Sequence, residues 1–418
     1  MNHDCSKHPV VQLFCLCSCF PLSLTTAPLL LALAFIALPP AARAEALDIP
    51  ILYLEQTRPD EAILSNVFQE PANTGLRGAE LGVADNNTTG RFLNHSYRLE
   101  NKVSDQFTPL LDAALSWHSK RNTLIIANMP PQSLLKLAQH PRLKGQVILL
   151  NAGSPADSLR QSQCTTGLLH TLPSRSMLAD ALAQLLAAKK WQKWLLVKGQ
   201  RPDDSAYAAA MTRAAKRFGA RIIEQKTWSF DTDLRRVAQQ EIPTFTRARD
   251  YDVVIVADEL GDVGEFIPYN TWLPRPVAGT QGLTPVAWHR VIEQWGALQL
   301  QNRFQELANR FMNSTDYAAW LAVRVIGEAI TRQGSTDAAK LYSFMLSPDF
   351  EVAAFKGRKM NFRQWNGQMR QPITLVQPRA LISQSPQEGF LHPHTDLDTL
   401  GYDKPEVRCD FSTSLENP

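Results

Sequence analysis

Apolar and polar positions along the chain predict short strands that alternate with helices. The clearest strand is 252–257, where an unbroken apolar run from Val253 to Ala257 is typical of a strand buried on both faces of a parallel sheet. The other predicted strands are 49–54, 97–103, 123–127, 146–150, 193–197, 221–226 and 275–280. The predicted helices are 75–87, 108–119, 134–139, 177–190, 203–218, 234–247, 285–313 and 315–331. This alternation indicates an α/β fold built on doubly wound parallel sheets.

The length of the chain and a restart of the pattern near residue 177 indicate two domains. A chain of 418 residues exceeds what a single core usually serves. The helices after Gly282 have no sheet of their own, so they must cover a domain that has already begun. The predicted fold is therefore two doubly wound parallel-sheet lobes joined by a multi-crossing hinge. The predicted bounds are 45–170 with 284–345 for the first lobe, 171–283 with 346–380 for the second lobe, and 381–418 for a C-terminal tail.

The N-terminal segment 1–44 is predicted to be a secretory signal peptide. Its apolar run, 27–38, is too short to span a bilayer, and the small residues Ala42 and Ala44 that follow fit a cleavage site. A retained membrane anchor is the alternative. The prediction makes the mature protein an exported, soluble one.

The mature chain contains two cysteines, Cys164 and Cys409. In an oxidising compartment a lone pair of cysteines is most simply a disulfide, which here would attach the tail to the middle of the chain. Two free thiols are the alternative. The formal net charge of the whole chain is +3, and the signal segment contributes little to it. A nearly neutral chain argues against nucleic acid or an anionic membrane surface as a partner.

An acidic, glycine-containing loop follows the strand 252–257. Because ligands of open α/β sheets bind at the carboxyl edge, this loop is a candidate site, and an ordinary solvated loop is the alternative. Hard cations prefer several oxygen ligands, so the loop is also a candidate calcium or lanthanide site. Its candidate metal ligands are Asp258, Glu259, Asp262 and Glu265. A second candidate set, for which a mobile tail is the alternative, is His392, His394, Asp396 and Asp398.

Two α/β lobes linked by several crossings predict a hinged clamp that closes on a ligand between the strand ends of both sheets. No catalytic motif competes with this interpretation. The sequence has no phosphate-binding loop, no His-Glu-x-x-His metalloprotease motif, no Gly-x-Ser-x-Gly elbow and no dinucleotide fingerprint. We therefore expect a solute receptor without a cofactor, and not an enzyme.

Several separate stretches of the chain resemble one family. They are 85–92, 257–259, 274–282, 295–297, 362–368, 386–392 and 398–401. Together they look like the periplasmic substrate-binding proteins of ABC transporters found with pyrroloquinoline-quinone-dependent alcohol dehydrogenase systems. That group is similar in fold to the leucine/isoleucine/valine-binding proteins, the type I periplasmic receptors. The resemblance implies a monomer in the periplasm that delivers a small molecule to an inner-membrane ABC permease.

The resemblance also implies candidate ligand contacts at strand ends. In the first lobe, residues 151–154 match the family's small-residue ligand loop and offer amide donors. The stretch 128–132 departs from the family, because Pro130 and Pro131 have no amide donor for a ligand carboxylate. Tyr207 stands where such receptors often place a contact aromatic, and a half-buried helix residue is the alternative. The complete set of candidate contacts is Asn128, Gln132, Asn151, Ala152, Gly153, Ser154, Tyr207, Asp258 and Glu259.

The identity of the ligand stays open at this point. A short alcohol, aldehyde or acid, an amino acid, the quinone and a metal ion are the alternatives, and a sensory receptor would share the fold of a transport receptor. Candidate aromatic walls are Trp272, Trp288 and Trp295, and candidate partners of the three quinone carboxylates are Arg58, Arg175 and Arg275. The four acids of the loop after Ala257 would oppose the quinone.

Overall fold

Two parallel sheets form the framework of the protein. The computed structural model describes residues 46–58, 71–228, 234–262 and 264–415. The predicted signal peptide, 1–44, lies outside the described residues. The described residues belong to one compact unit, which contains both sheets.

The first sheet lies in the first lobe. Its strands are β1 (Leu47–Gln56), β2 (His95–Ser104), β3 (Leu124–Asn128), β4 (Ile148–Asn151) and β5 (Leu168–His170). They are parallel, in the order β2-β1-β3-β4-β5. Successive side chains of a strand point to opposite faces, so Ile51 and Tyr53 pack into one core and Leu52 and Leu54 into another. The sheet is therefore covered on both faces, as predicted.

The second sheet lies in the second lobe. Its strands are β6 (Lys193–Lys198), β7 (Arg221–Thr227), β8 (Val253–Ala257) and β9 (Val277–Gly279). They are parallel, in the order β7-β6-β8-β9. Every residue of β8 is buried, with Val253 and Ile255 on one face and Val254 and Val256 on the other. The prediction of a strand buried on both faces is confirmed.

Helices cover the faces of the two sheets. They are α1 (Leu76–Leu93), α2 (Phe107–Ser119), α3 (Pro131–Ala138), α4 (Ser158–Gln161), α5 (Arg175–Ala188), α6 (Pro202–Arg217), α7 (Leu234–Phe245), α8 (Ala297–Ala308), α9 (Ser314–Gln333) and α10 (Ala338–Met345). Helices α1, α8, α9 and α10 pack on one face of the first sheet, and α2 and α3 on the other. Helices α5 and α6 pack on one face of the second sheet, and α7 on the other.

Short antiparallel strands complete the fold and correct one prediction. They are β10 (Thr284–Val286), β11 (Val352–Ala353), β12 (Lys359–Phe362), β13 (Met369–Arg370), β14 (Ile373–Gln377) and β15 (Ala380–Ser385). The predicted helix 285–313 was wrong at both ends, because β10 pairs with β14 and helix α8 extends only from Ala297 to Ala308. The pairing partner of Pro285 is Leu375, which is far away in the sequence and leaves no local signal.

Four stretches of the described chain lead from one lobe to the other. The first three lie between Leu172 and Met177, between Leu283 and Ala287, and between Met369 and Ile373. The fourth lies between Leu400 and Leu415, in the C-terminal tail. The predicted multi-crossing hinge is therefore present. Side chains from Leu346 to Met369 belong to the core of the first lobe, although the predicted bounds gave 346–380 to the second. Phe350, Met360 and Phe362 are the large apolar residues that bury this segment against the first lobe.

A buried lysine holds the crossings together. The Lys356 ammonium donates to the side chain of Gln371 at 2.8 Å and to the carbonyl oxygen of Pro372 at 3.0 Å, and it lies over the ring of Tyr317. Gln371 in turn donates to the carbonyl oxygen of Thr171 at 2.8 Å. Burial lowers the pKa of Lys356 well below its ordinary value. The first and third crossings are thus linked to each other and to α9.

The C-terminal strap, residues 386–415, contacts both lobes. On the second lobe, the amide of Gly401 donates to the buried Asp180 carboxylate at 2.8 Å. On the first lobe, the Asp398 carboxylate accepts hydrogen bonds from Arg363 and Arg370, both at 2.8 Å. The predicted disulfide between Cys164 and Cys409 is present, with a Cα–Cα distance of 5.5 Å. The tail is therefore a packed connection between the lobes, unlike the mobile tail considered from the sequence.

Removing the disulfide is expected to destabilise the protein. The Cys164→Ser, Cys409→Ser double variant should lose roughly 2–4 kcal/mol of unfolding free energy, because the bridge closes a long loop and restricts the unfolded chain. Urea unfolding monitored by circular dichroism measures the loss. Reductant should lower the stability of the wild type to that of the double variant and leave the variant unchanged. Equal stability of the two proteins without reductant would contradict the prediction.

Candidate ligand-binding site

The carboxyl edges of the two sheets face one another. Arg58 lies just beyond β1, and its Nη2 is 3.5 Å from an oxygen of Asp203, which lies in the first turn of α6 beyond β6. A second contact joins the loop after β4 to the start of α5, where the amide of Ser176 donates to the Asp157 carboxylate at 3.0 Å. Ligands of open α/β sheets bind at this edge. The candidate site is therefore the space between the two edges, which we call the cleft.

A charged cluster lies at the edge of the second sheet. Arg175, the first residue of α5, donates from Nε and Nη2 to the two oxygens of Glu259 at 2.6 and 2.7 Å. The same Nη2 donates to Asp203 at 2.8 Å. Only 6% of the Arg175 side chain is exposed, against 20% for Glu259 and 37% for Asp203. Burial of Arg175 lowers its pKa, but the two carboxylates outweigh this effect and raise the pKa above its ordinary value. Arg175 and Glu259 form a bidentate, charge-assisted pair.

The predicted acidic loop is organised by its first carboxylate. Asp258 is 2% exposed, and its side chain accepts the amides of Asp262 at 3.1 Å and Gly264 at 2.5 Å. Asp262 pairs with the Nε of Arg201 at 2.5 Å. Asp258 thus folds the loop back on itself, and both oxygens of its carboxylate are occupied by backbone amides.

A further buried carboxylate, Asp204, positions Glu259. Asp204 is completely buried and accepts the amide of Glu259 at 2.9 Å and that of Arg201 at 3.1 Å. Burial raises the pKa of Asp204, and these amide donors oppose the rise. Asp204 was not among the predicted site residues, although its place in the first turn of a helix that follows a buried strand is a usable signal.

The structure does not bring the predicted metal ligands together. Glu259 is paired with Arg175, Asp262 with Arg201, and Asp258 with backbone amides. Among the residues that the structure describes, no group of three or more His, Cys, Asp or Glu side chains is arranged to hold a metal ion. In the tail set, His392 and His394 lie close together, with ring centroids 5.6 Å apart. The two carboxylates are bound elsewhere, since Asp396 pairs with Arg358 and Asp398 with Arg363.

Tyr207 lies at the same edge, in the second turn of α6. Only 3% of the residue is exposed. Within the described part of the chain its hydroxyl has no hydrogen-bond partner. Burial raises the pKa of Tyr207, and the nearby Glu259 carboxylate raises it further. A buried hydroxyl without a partner is a costly arrangement unless something else binds it.

The predicted ligand loop of the first lobe, 151–154, is held by its own first side chain. Asn151 is completely buried, and its oxygen accepts the amides of Gly153 at 3.2 Å and Ser154 at 2.8 Å. The amide of Ala152 donates to the carbonyl oxygen of Ala127 at 2.9 Å, as a continuation of the sheet. Ser154 is itself buried. The amide donors that the resemblance implied for a ligand are thus already used within the protein.

Asn128 and Gln132 lie at the end of β3 and the start of α3. The Asn128 amide group donates to the Tyr53 hydroxyl at 3.3 Å and is partly buried. Gly153 is packed against it, because a Cβ at Gly153 would lie 2.0 Å from the Asn128 side-chain oxygen. Gln132 is exposed in the first turn of α3. Of the predicted first-lobe contacts, Gln132 is the one most open to solvent.

A buried arginine, Arg160, stabilises the loop 151–154. Arg160 donates to the carbonyl oxygens of Ser154, Ala156 and Leu172 and to the side chain of Gln368 at 2.8 Å. Burial lowers the pKa of Arg160 to about 9. Arg160 joins the ligand loop to the first and third crossings. No sequence signal pointed to it, because Gln368 is far away in the chain.

The remaining candidates are dispersed. Trp288 is buried and stacks on Tyr317 with ring centroids 4.7 Å apart, so it belongs to the core of the first lobe. Trp272 and Trp295 are half exposed. Arg275 pairs with Asp250 at 3.1 Å. Of the arginines predicted for a quinone, only Arg58 and Arg175 lie at the cleft.

Comparisons with solved structures identify the fold. A substrate-binding protein of an ABC transporter from Sphaerobacter thermophilus superposes with a TM-score of 0.67 at 14% identity, over 85% of this chain and 100% of that one. A branched-chain amino acid ABC transporter ligand-binding protein from Burkholderia xenovorans gives 0.64 at 15%, over 80% and 95%. A solute-binding protein from R. palustris in complex with benzoate gives 0.57 at 14%, over 79% and 93%.

The fold is that of the type I periplasmic binding proteins, with two parallel-sheet lobes. No protein-family model matches the chain, and no curated protein sequence matches it either. At these identities the likeness defines the fold and leaves the ligand open. None of the described helices combines the length and the apolar composition that a membrane-spanning helix needs.

Proposed function

We propose that the protein is the periplasmic substrate-binding component of an ABC transporter. The observation that supports this most directly is the contact between Arg58 and Asp203, which brings the carboxyl edges of two separate sheets to one cleft. The chain crosses between the lobes beside that cleft, and solved proteins of this fold include ABC transporter binding proteins in complex with leucine and with benzoate. The protein acts as a binding protein and not as an enzyme.

In this proposal the two lobes close over a small ligand and present it, as a monomer, to an inner-membrane permease. A ligand that contacts both lobes stabilises the closed arrangement over the open one. The Lys356 network joins two of the crossings, so the lobes move about a defined hinge. The signal peptide predicted for residues 1–44 fits export to the periplasm.

In our proposal the ligand is a small molecule connected with the oxidation of alcohols by pyrroloquinoline-quinone-dependent dehydrogenases. The sequence stretches 85–92, 274–282 and 362–368 support this association. A metal ion fits the cleft poorly, because three of the four acidic side chains proposed to bind it are paired: Glu259 with Arg175, Asp262 with Arg201, and Asp258 with backbone amides. The quinone fits poorly as well, because the two arginines at the cleft, Arg58 and Arg175, are already paired with Asp203 and Glu259 and are not free to bind its carboxylates.

A thermal-shift screen of the mature chain, residues 45–418, tests the proposed function. The screen contains short and aromatic alcohols, the corresponding aldehydes and acids, amino acids, the quinone, calcium and lanthanum. A ligand that binds only the folded protein raises its melting temperature, and at one hundred times its Kd it adds about 2.7 kcal/mol of stability. We expect at least one organic compound to produce such a shift.

Two matched variants then test the position of the site. Gln132→Ala changes an exposed residue at the cleft end of α3, whereas Gln139→Ala changes an exposed residue just past its other end. The ligand-induced shift should shrink in the first variant and stay the same in the second. Equal shifts in both would place the site elsewhere, and the absence of a shift with every compound would refute the function.

A further inference from the structure

We propose that the cleft selects an uncharged ligand that carries a hydroxyl or carbonyl group, and that Arg175 determines this selectivity. The inference rests on the proposed function, and it adds the chemical class of the ligand. Four observations support it: the pairing of Glu259, the balance of charge across the cleft, the satisfied amides of the first lobe, and the buried Tyr207 hydroxyl.

Glu259 is the carboxylate best placed to bind a cationic ligand at the edge of the second sheet. It follows β8 directly, and a fifth of its side chain remains exposed. However, both of its oxygens accept hydrogen bonds from Arg175, at 2.6 and 2.7 Å. A ligand ammonium would have to separate a bidentate pair whose arginine is 6% exposed, and separating a buried pair is costly.

Charges across the cleft compensate one another. Arg58 of the first lobe approaches Asp203, Asp203 also pairs with Arg175, and Arg175 pairs with Glu259. Positive and negative groups thus alternate from one lobe to the other, with two of each. A charged ligand would gain little binding energy from these four groups. Each group of opposite charge to the ligand already has a partner, and it would have to give up that partner to bind the ligand.

The first lobe likewise offers few donors to an anionic ligand. The amides of Gly153 and Ser154 donate to the Asn151 side chain, and the amide of Ala152 donates to the sheet. A ligand carboxylate would need donors that are free at this loop, because burying an unpaired charge is unfavourable. The loop is therefore a poor partner for a carboxylate.

Tyr207 supplies a suitable partner for an uncharged polar group. Its hydroxyl is buried, lies near Glu259, and has no partner within the described residues. A phenolic hydroxyl both donates and accepts, so it matches a ligand hydroxyl or carbonyl. A site that hydrogen-bonds a ligand hydroxyl discriminates strongly against an analogue without one.

Four probes that share an isobutyl group test the inference: isopentanol, isovalerate, isopentylamine and leucine. Isothermal titration calorimetry of the mature wild type should give a Kd for isopentanol at least about tenfold lower than for the three charged probes. Tyr207→Phe should weaken isopentanol binding by about tenfold, because the hydroxyl is lost while the ring remains.

Arg175→Met should gain affinity for isopentylamine by at least about tenfold, because the Glu259 carboxylate becomes free. The matched control is Arg175→Met combined with Glu259→Gln, which removes both charges and should show no gain. Thermal melts verify that each variant is folded. Should Arg175→Met fail to fold, the wild-type comparison of the four probes and the Tyr207→Phe variant still decide the inference.

The outcomes separate the inference from the proposed function. Tighter binding of leucine, isopentylamine or isovalerate than of isopentanol by the wild type would overturn the inference and leave the receptor function intact. A folded Arg175→Met variant without any gain for the amine would do the same. If neither these probes nor the compounds of the wider screen bind the wild type, the inference and the proposed function fail together.

Discussion

Replacing Asp316 with asparagine is expected to destabilise the protein by roughly 3–5 kcal/mol, because it removes one partner of a buried ion pair. Asp316 is completely buried and accepts four hydrogen bonds. Two come from Arg310, at 2.6 and 2.9 Å, and the others from the amides of Gly75 and Asn313. The carboxylate thus joins the start of α9 to the start of α1 and to the segment after α8.

Asp396→Asn is the matched control for this variant. Asp396 also pairs with an arginine, Arg358, at 2.7 Å, but 47% of its side chain is exposed. Exposed pairs contribute about 0–1 kcal/mol, so the loss should be several times smaller. Urea unfolding of both variants measures the difference. Equal losses would mean that the network around Asp316 does not stabilise the first lobe as described.

Replacing Gly78 with alanine is expected to cost about 3 kcal/mol, because it forces a methyl group into a closely packed helix contact. A Cβ at Gly78 would lie 1.9 Å from the backbone oxygen of Asp316 in α9. A backbone atom in a helix cannot move aside as the end of a flexible side chain can. Helices α1 and α9 would have to separate, which would loosen the core of the first lobe.

Gly389→Ala controls for the effect of removing a glycine as such. A Cβ at Gly389 would meet nothing within 4 Å. The unfolding free energy of the Gly389→Ala variant should stay within about 0.5 kcal/mol of the wild-type value, which is usual for surface substitutions. Thermal or urea unfolding of the two variants tests the pair. A Gly78→Ala variant as stable as Gly389→Ala would contradict the close approach of α1 and α9.

The order of strands and helices was predictable because it depends on local patterns. The apolar run 253–257 and the amphipathic helix 314–333 both lie where the sequence placed them. Errors arose where distant segments decide the structure. Thr284–Val286 is a strand because of its pairing with β14, and 346–369 packs on the first lobe because of side chains that are far away in the chain.

The position of the candidate site was more predictable than its chemistry. Glu259 and the loop 151–154 lie at the carboxyl ends of β8 and β4, and Tyr207 lies in the second turn of α6, which follows β6. A doubly wound fold leads one to look for a site at these ends. The pairing of Glu259 with Arg175 was not predictable, because these residues are 84 positions apart. The hydrogen bonds from the loop amides to Asn151 were not predictable either. A sequence pattern does not reveal which partners a buried side chain binds.

Closure of the lobes over a ligand is the central claim. The measurement that tests it most directly is the distance between two spin labels, introduced through Asp105→Cys beyond β2 and Tyr269→Cys on the second lobe, both at exposed positions. The labelled protein is measured alone and with the compound that raises its melting temperature most. The account predicts a shorter label-to-label distance in the presence of that compound. An unchanged distance distribution at saturating ligand would contradict it.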